Sequence, residues 1–342
     1  MSQSTFPRAD NRGRTPVVGR RDLMRRATGL LAGAAVGGLG ALEAQQAPPG
    51  SAPSTADLDA RYFPGFKVST VQTSGAAIHA LIAGQGPPVL LMHGAPLTHL
   101  SWRGVAPDLA RTHTVVVTDL RGYGDSSKPP DGENHANHSK RAMALDHVEV
   151  MRQFGFEKFA VVGHDRGGRV AQRLALDHPD RVTRVAVLDI VPTHYLYTHI
   201  TMEFVRVYPH WFLYIQPAPI PENVVIEQNK ARAERARSDV QADYARRYTE
   251  YATVHGMCED YRAGGSIDLD HDEVDRGQGR KIACPTLALW GERGPMGRMY
   301  DFLAIWKEYA SEVAARGVAA GHNLQEEAPE LTLAALRPFL QA

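Results

Sequence analysis

Short apolar runs alternate with amphipathic stretches along most of the chain. Phe66–Thr73 and Ala77–Ala83 read as strands joined by a turn at Ser74-Gly75. Val89–Met92 and Thr114–Asp119 are brief and centred on apolar residues, the pattern of strands buried on both faces. Leu100–Arg111 reads as a helix. So does Ser139–Phe154, where Met143, Ala144, Val148 and Met151 recur near helical spacing. Phe159–Val162 and Val182–Ile190 are two further strands, with a helical pattern over Val170–Leu176 between them. The alternation breaks at Thr193. From there to about Asp275 the pattern is helical and rich in aromatics, and the charged stretch Lys230–His255 reads as a solvated helix face. Strand character returns at Thr286–Trp290 and Glu312–Ala319. Helices are expected at Tyr300–Tyr309 and Pro329–Leu340. This order predicts an α/β fold: a mostly parallel central sheet flanked by helices, with an inserted helical cap. The expected division is core over 61–192, cap over 193–275 and core again over 276–342.

The first 60 residues follow another pattern. Arg20-Arg21-Asp22-Leu23-Met24 precedes an uncharged run, Ala27–Leu42, rich in Ala, Gly and Leu. Glu43-Ala44 and a polar stretch with three prolines, Gln45–Asp57, come next. A basic region, an apolar region and small residues at a cut site make an export signal, and the paired arginines point to the twin-arginine route. The expectation is a signal peptide over 1–44, cleaved near Ala44 or Ala47, and a polar linker over 45–60. The apolar run is short of the roughly 20 residues that span a bilayer. The mature protein is therefore expected in the periplasm without stable membrane association. Formal net charge is zero, but residues 1–44 hold seven Arg against Asp10, Asp22 and Glu43. The remainder, with 31 basic and 35 acidic side chains, has no general field for nucleic acid. An anionic ligand would need a local arginine cluster. Cys258 and Cys284 are too few for a disulfide framework.

The chemistry centres on Val161-Val162-Gly163-His164-Asp165-Arg166-Gly167-Gly168-Arg169, a strand, a Gly-x-Asp-x-Gly turn and a helix. This is the nucleophile elbow of the α/β-hydrolase fold, with Asp where serine esterases carry Ser. A carboxylate is ionised near neutral pH. It can attack a saturated carbon and form an enzyme ester, as dehalogenation and epoxide opening require. His93-Gly94-Ala95-Pro96 follows the third strand. In this fold such a turn gives one backbone N–H of an oxyanion hole, here Ala95, and the residue after the nucleophile, Arg166, gives the other. The triad order is nucleophile, acid, histidine. His322, in Gly-His-Asn after the last strand, is the histidine; because Asp165 needs no base, its work is to activate the water that hydrolyses the ester. Two residues compete as the acid. Asp189 ends the strand after the elbow and is preferred, with Glu292 after the penultimate strand in reserve.

Gly-His-Asp-Arg-Gly-Gly-Arg at 163–169, Leu188-Asp189-Ile190 and Gly321-His322 resemble the haloacetate (fluoroacetate) dehalogenases. The resemblance extends to the cap through His210-Trp211-Phe212, Gln216–Glu222 and Met257–Gly264, and covers most of 88–340. It implies that Arg166 and Arg169 hold a substrate carboxylate and that His210, Trp211 and Tyr261 donate to the departing halide. The implied substrate is a small anion, with no metal and no organic cofactor; a homodimer is compatible with the chain. Two features depart from the pattern: Ala95 stands where many relatives carry Phe, and the cap between Glu222 and Met257 looks shorter. Both predict a roomier pocket that accepts 2-substituted haloacids. Epoxide hydrolysis is the main rival, with Tyr214, Tyr244, Tyr248, Tyr251 or Tyr261 assisting the ring oxygen. The paired arginines have no clear task on a neutral epoxide. A ligand-binding protein without turnover is a third reading, disfavoured because nucleophile and histidine are both present.

Overall fold

The computed structural model describes residues 53–341. The signal expected over 1–44 lies outside them. The end of the expected linker is a helix instead, α1 (Thr55–Tyr62). The Ser54 hydroxyl accepts from the Asp57 N–H at 3.3 Å, and the Asp57 carboxylate accepts from the Ser54 N–H at 3.0 Å. This reciprocal cap starts a helix in an otherwise polar stretch. α1 is tied to the core through His99, whose Nε2 lies 2.7 Å from Asp59 Oδ1 and whose Nδ1 lies 3.0 Å from Asp119 Oδ1. Burial would lower the His99 pKa, but the two carboxylates outweigh it and lift it to about 10.

Eight strands form one sheet: β1 (Lys67–Gln72), β2 (Ala77–Ala83), β3 (Pro88–Met92), β4 (Thr114–Thr118), β5 (Phe159–His164), β6 (Val182–Leu188), β7 (Thr286–Gly291) and β8 (Val313–Val318). Their order is β1-β2-β4-β3-β5-β6-β7-β8. β1 and β2 pair antiparallel, as do β2 and β4; the remaining pairs are parallel. The apolar runs are continuous because both faces are covered. Leu90, Val116, Val161 and Val187 enter the hydrophobic cluster on one face, and their neighbours Val89, Val115, Val162 and Ala186 enter the cluster on the other.

Core helices α2 (Ala106–Leu109), α3 (Lys140–Gln153) and α4 (Arg166–Asp177) lie between the strands. The single helix expected over Leu100–Arg111 is broken into a 3₁₀ turn, His99–Trp102, and short α2. Pro107, which has no N–H to donate, sits in the first turn of α2 and prevents continuity with the turn before it. From Thr193 to Gly277 seven helices follow: α5 (Thr193–Thr198), α6 (Met202–Val207), α7 (His210–Tyr214), α8 (Ile220–Ala233), α9 (Asp239–Arg247), α10 (Tyr251–Gly264) and α11 (Ile267–Gly277). Most of their buried apolar residues, including Phe204, Trp211, Val254 and Tyr261, join the same cluster as Val161 and Val187, while Val240 of α9 joins the other. α12 (Met296–Met299), α13 (Phe302–Tyr309), α14 (Leu324–Glu327) and α15 (Pro329–Gln341) complete the chain. Among the described residues no helix is long and apolar enough to cross a membrane.

Candidate active site

Asp165 stands between β5 and α4 with φ 45° and ψ −112°, a conformation sparsely populated by residues with a Cβ. Close packing of the turn holds it there. A Cβ on Gly163 would lie 2.3 Å from the Gly167 carbonyl oxygen, and one on Gly94 would lie 2.5 Å from Asp165 Cβ. Only glycine lets these backbones approach. Asp165 is 6% exposed. The Ala95 N–H donates to its Oδ2 at 3.0 Å. Burial would push its carboxyl pKa up, but His322, His164, Arg166 and Arg169 outweigh burial and hold it below its ordinary value. An ionised carboxylate is thus fixed by one oxygen to a backbone donor. Arg166, the expected second donor, opens α4, where backbone N–H groups have no partner within the helix.

His322 lies in the loop after β8. Its Nδ1–H donates to Asp189 Oδ2 at 2.6 Å, and Asp189 Oδ1 accepts from the Gly291 N–H at 2.9 Å. Asp189 takes φ 53°, which ends β6 at Leu188 instead of Ile190. With Nδ1 as donor, Nε2 is left for chemistry. Burial would lower the His322 pKa; Asp189, Asp165 and Glu327 outweigh it and raise it to about 9. The reserve acid Glu292 is exposed, its N–H pairs with the Val318 carbonyl, and its side chain lies against Gly317. Asp189 therefore takes the place beside His322. Two residues that the sequence reading passed over brace this loop. Glu327 accepts from the backbone N–H groups of Gly321 at 2.7 Å and Asn323 at 3.0 Å. His164 Nε2–H donates to the His322 carbonyl at 3.0 Å; burial, with His322 adding to it, drives the His164 pKa down to about 3, so this imidazole is neutral.

The two arginines are not equivalent. Arg166 is wholly buried and held by Asp260: Nε donates to Oδ2 at 2.7 Å, and Nη2 donates to Oδ1 at 2.9 Å and to the Asp260 carbonyl at 2.8 Å. Its Nη1 is buried without a hydrogen-bond partner. Arg169, 3% exposed, forms no ion pair among the described residues. Its Nη1 donates to the Val191 carbonyl at 3.0 Å and Thr193 Oγ1 at 2.9 Å, and its Nε is unpartnered. Burial, with Arg166 adding to it, lowers its pKa to about 10, which leaves it charged at neutral pH. Both guanidiniums face aromatic rings: Arg166 is 4.1 Å from the Tyr261 centroid and Arg169 is 4.7 Å from that of Trp211. Trp211 packs edge-on to Tyr261 at 5.5 Å, and the His210 ring lies 6.2 Å from Tyr261. Burial pushes the His210 pKa down to about 4 and the Tyr261 hydroxyl well up, so the first is neutral and the second stays protonated. The structure thus brings Asp165, Asp189, His322, both arginines and the three aromatic donors into one cluster.

Residues 87–329 match the family model of the alpha/beta hydrolase fold. Over 290 residues, 81% of this chain and 95% of the other, the sequence is 40% identical to a fluoroacetate dehalogenase from Burkholderia sp. The chain belongs to the haloacetate dehalogenase family of α/β hydrolases. It is also 29% identical to a soluble epoxide hydrolase from Corynebacterium sp. (strain C12), covering 76% of this chain and 92% of that one. Among solved structures, an alpha/beta hydrolase from Nostoc sp PCC 7120 is similar with a TM-score of 0.77 at 48% identity, over 80% of this chain and 98% of that chain.

Asp260, to which the motifs gave no role, is the hub that holds Arg166. Besides Arg166 it accepts from the Tyr123 hydroxyl at 2.6 Å and pairs with Lys140. Burial would raise its pKa, but Arg166 and Lys140 outweigh it and hold it far below the ordinary range. Nothing local singles it out: Glu259 and Arg262, its neighbours in the same helix, are buried charges as well. Of the five tyrosines named for epoxide opening, three lie away from the nucleophile. Tyr251 is exposed and stacked on His255, and the Tyr244 hydroxyl is bonded to Glu326 at 3.1 Å. The Tyr248 hydroxyl is buried without a partner in the main cluster. Tyr214 and Tyr261, edge-on at 5.1 Å, share the site's aromatic cluster, so what separates the two readings is the pair of arginines and not the tyrosines.

Proposed function

We propose that the protein hydrolyses haloacetates, fluoroacetate and chloroacetate among them, to glycolate and halide through an ester on Asp165. The observation that carries this reading is Arg169, a buried guanidinium beside the nucleophile with no carboxylate to pair with among the described residues. A buried unpaired charge is costly, and an anionic substrate supplies the missing partner. A neutral epoxide does not.

Arg169, with the free Nη1 of Arg166, takes the substrate carboxylate through charge-assisted hydrogen bonds. Ala95 holds Asp165 Oδ2, which leaves Oδ1 to attack the α-carbon. As the carbon–oxygen bond forms, the carbon–halogen bond breaks, and halide departs toward the N–H and O–H donors of His210, Trp211 and Tyr261. Such donors act where the charge develops. In the resulting ester Asp165 has lost its charge, and with it one of the influences that raise the His322 pKa. His322 then releases its proton more readily. Its Nε2 takes a proton from water as the hydroxide adds to Asp165 Cγ. The Ala95 N–H, already on Oδ2, and the Arg166 N–H meet the oxyanion. Collapse breaks the Cγ–Oδ1 bond, His322 returns the proton to the departing glycolate oxygen, and Asp165, now with one oxygen from water, passes the remaining water proton to His322 and is again a carboxylate. We also propose a twin-arginine signal over 1–44 and a periplasmic location, which the N-terminal sequence of the mature protein tests; a start before residue 40 counts against it.

The deciding experiment measures halide and glycolate release from fluoroacetate and chloroacetate, with styrene oxide alongside, for wild type and Asp165→Asn. Halide release that vanishes in the variant is expected. Diol from styrene oxide without halide would overturn the reading in favour of epoxide hydrolysis.

A further inference from the structure

A second cluster of titratable groups lies at the seam between cap and core and has no part in the mechanism above. His255, on α10, sits between two carboxylates: its Nδ1 is 2.9 Å from Glu222 Oε1 and its Nε2 is 2.9 Å from Asp131 Oδ1. Glu259, one helical turn further along α10, points the same way. Its Oε2 lies 2.7 Å from His135 Nδ1, and Arg262 Nη1 donates to its Oε1 at 2.8 Å. Ligand atoms of Asp131, His255 and Glu259 all fall within 4.8 Å of one another. Glu222 is wholly buried, and its Oε2 has no partner.

We propose that Asp131, His255 and Glu259 bind a divalent transition-metal ion of the zinc type, clamping cap helix α10 to the core loop that carries Asp131. Three observations carry this. First, His255 Nε2 faces the Asp131 carboxylate at 2.9 Å, and the place between them takes a cation, a proton or a metal ion in its stead. The Glu222–His255 contact then has the form of the carboxylate that orients a metal-bound histidine. Second, Glu222 and Glu259 share a single guanidinium, Arg262, which donates to each at 2.8 Å, and among the described residues Asp131 pairs with no Arg or Lys. Once a metal has displaced the imidazole proton, three carboxylates against one guanidinium leave two negative charges, the charge a divalent ion cancels. Third, one nitrogen and two carboxylate donors suit zinc with water in the fourth position. Ligands about 2.1 Å from zinc at tetrahedral angles are about 3.4 Å apart. Asp131 must therefore retreat about half an ångström, and its side chain, 46% exposed, is free to do so. His135 and Arg262 remain to fix Glu259. His255 and Glu259 are an i,i+4 pair, but Asp131 is more than 100 residues away, so no local motif marks the site.

The consequence is mechanical. Glu259 is followed by Asp260 and Tyr261, which support Arg166 and face the pocket. An ion at the seam restrains the helix that holds both. The proposal is independent of the substrate, and its test reads metal. Untagged, chelator-treated protein is dialysed against zinc at equilibrium, and the bound metal is counted for wild type, Asp131→Asn, His255→Asn and His79→Asn. The last variant probes the two other groups of this kind among the described residues, Asp59-His79-His99 and His79-Asp119-Asp125, both of which contain His79. The expected result is one zinc per chain, a fall in affinity of at least about tenfold for Asp131→Asn and His255→Asn, and no change for His79→Asn. Asp131→Asn decides should His255→Asn fail to fold, since its site is half exposed. No binding by the wild type, or unchanged affinity in Asp131→Asn, would overturn the proposal.

Discussion

Replacing Asp189 by Asn separates the two chemical steps. In the wild type, Asp189 accepts twice, from Gly291 N–H at 2.9 Å and from His322 Nδ1–H at 2.6 Å. An amide has one acceptor and one donor end. Its oxygen can keep Gly291, and its NH₂ then faces His322 Nδ1, which drives the ring to the other tautomer. The proton moves to Nε2, the nitrogen that has to accept from water. The rise of the His322 pKa from 6.5 to about 9 corresponds to about 3 kcal/mol of preference for the imidazolium. Asp189 is the strongest of the groups that raise it. Both losses fall on ester hydrolysis; alkylation uses Asp165 and the two arginines and is left intact. In a comparable triad the wrong tautomer lowers turnover about 10⁴-fold, so a loss of about 10³ to 10⁴ in steady-state glycolate release is expected. Rapid-quench measurement of halide from chloroacetate should still show a burst of one halide per enzyme. Mass spectrometry should find the carboxymethyl ester on Asp165. Steady turnover near the wild-type rate, or loss of the burst along with turnover, would refute the reasoning.

Arg169→Met removes a buried cation that has no carboxylate partner; the melting temperature should hold or rise, while kcat/KM for haloacetate falls by at least about 10²-fold, the worth of a charged hydrogen bond of about 3 kcal/mol. A clear drop in stability with kcat/KM unchanged would contradict this. Asp260→Asn leaves Arg166 with an unmatched buried charge and Lys140 with Asp268 alone, so urea denaturation should show a loss of about 3–5 kcal/mol and kinetics a raised KM. With pH, the halide burst should stay level through the neutral range, because Asp165 is already ionised there. Glycolate formation should rise with pH as His322 loses its proton, levelling below the value of about 9 found with Asp165 charged. A burst that rises in parallel with it would place His322 in the first step. Ala95→Phe should lower the ratio of 2-chloropropionate to chloroacetate turnover, since Ala95 borders the nucleophile; an unchanged ratio removes Ala95 from the pocket wall.

Much of the site was legible because local sequence dictates local shape. The elbow at 163–167 needs glycine on both sides of Asp165, and the turn after β8 announces His322. Gly291–Gly294 offered Glu292 as a rival acid, and nothing in the linear sequence could reject it. That rejection came from the sheet. β6 lies beside β5 as well as β7, which puts Asp189 at the same edge as Asp165, while Glu292 continues its pairing toward β8 and turns to solvent. The helix break at Pro107 and the cap of α1 at Ser54 were present in the sequence as well, in a proline and a Ser-x-x-Asp spacing. The reading of both segments by hydrophobic pattern hid them.

The sequence by itself determined the class of fold, the identity of the nucleophile and the presence of two arginines behind it, since each rests on residues within a few positions of one another. Tertiary structure alone decided how those arginines differ. Asp260 lies 94 positions from Arg166 and reaches it only when the cap closes on the core; the guanidinium it holds is neutralised, and the one it misses is not. Periodicity places a residue on a face of its own element. Which charge it meets across a buried interface depends on how the elements pack, and the cost of an unpaired buried charge makes that meeting count.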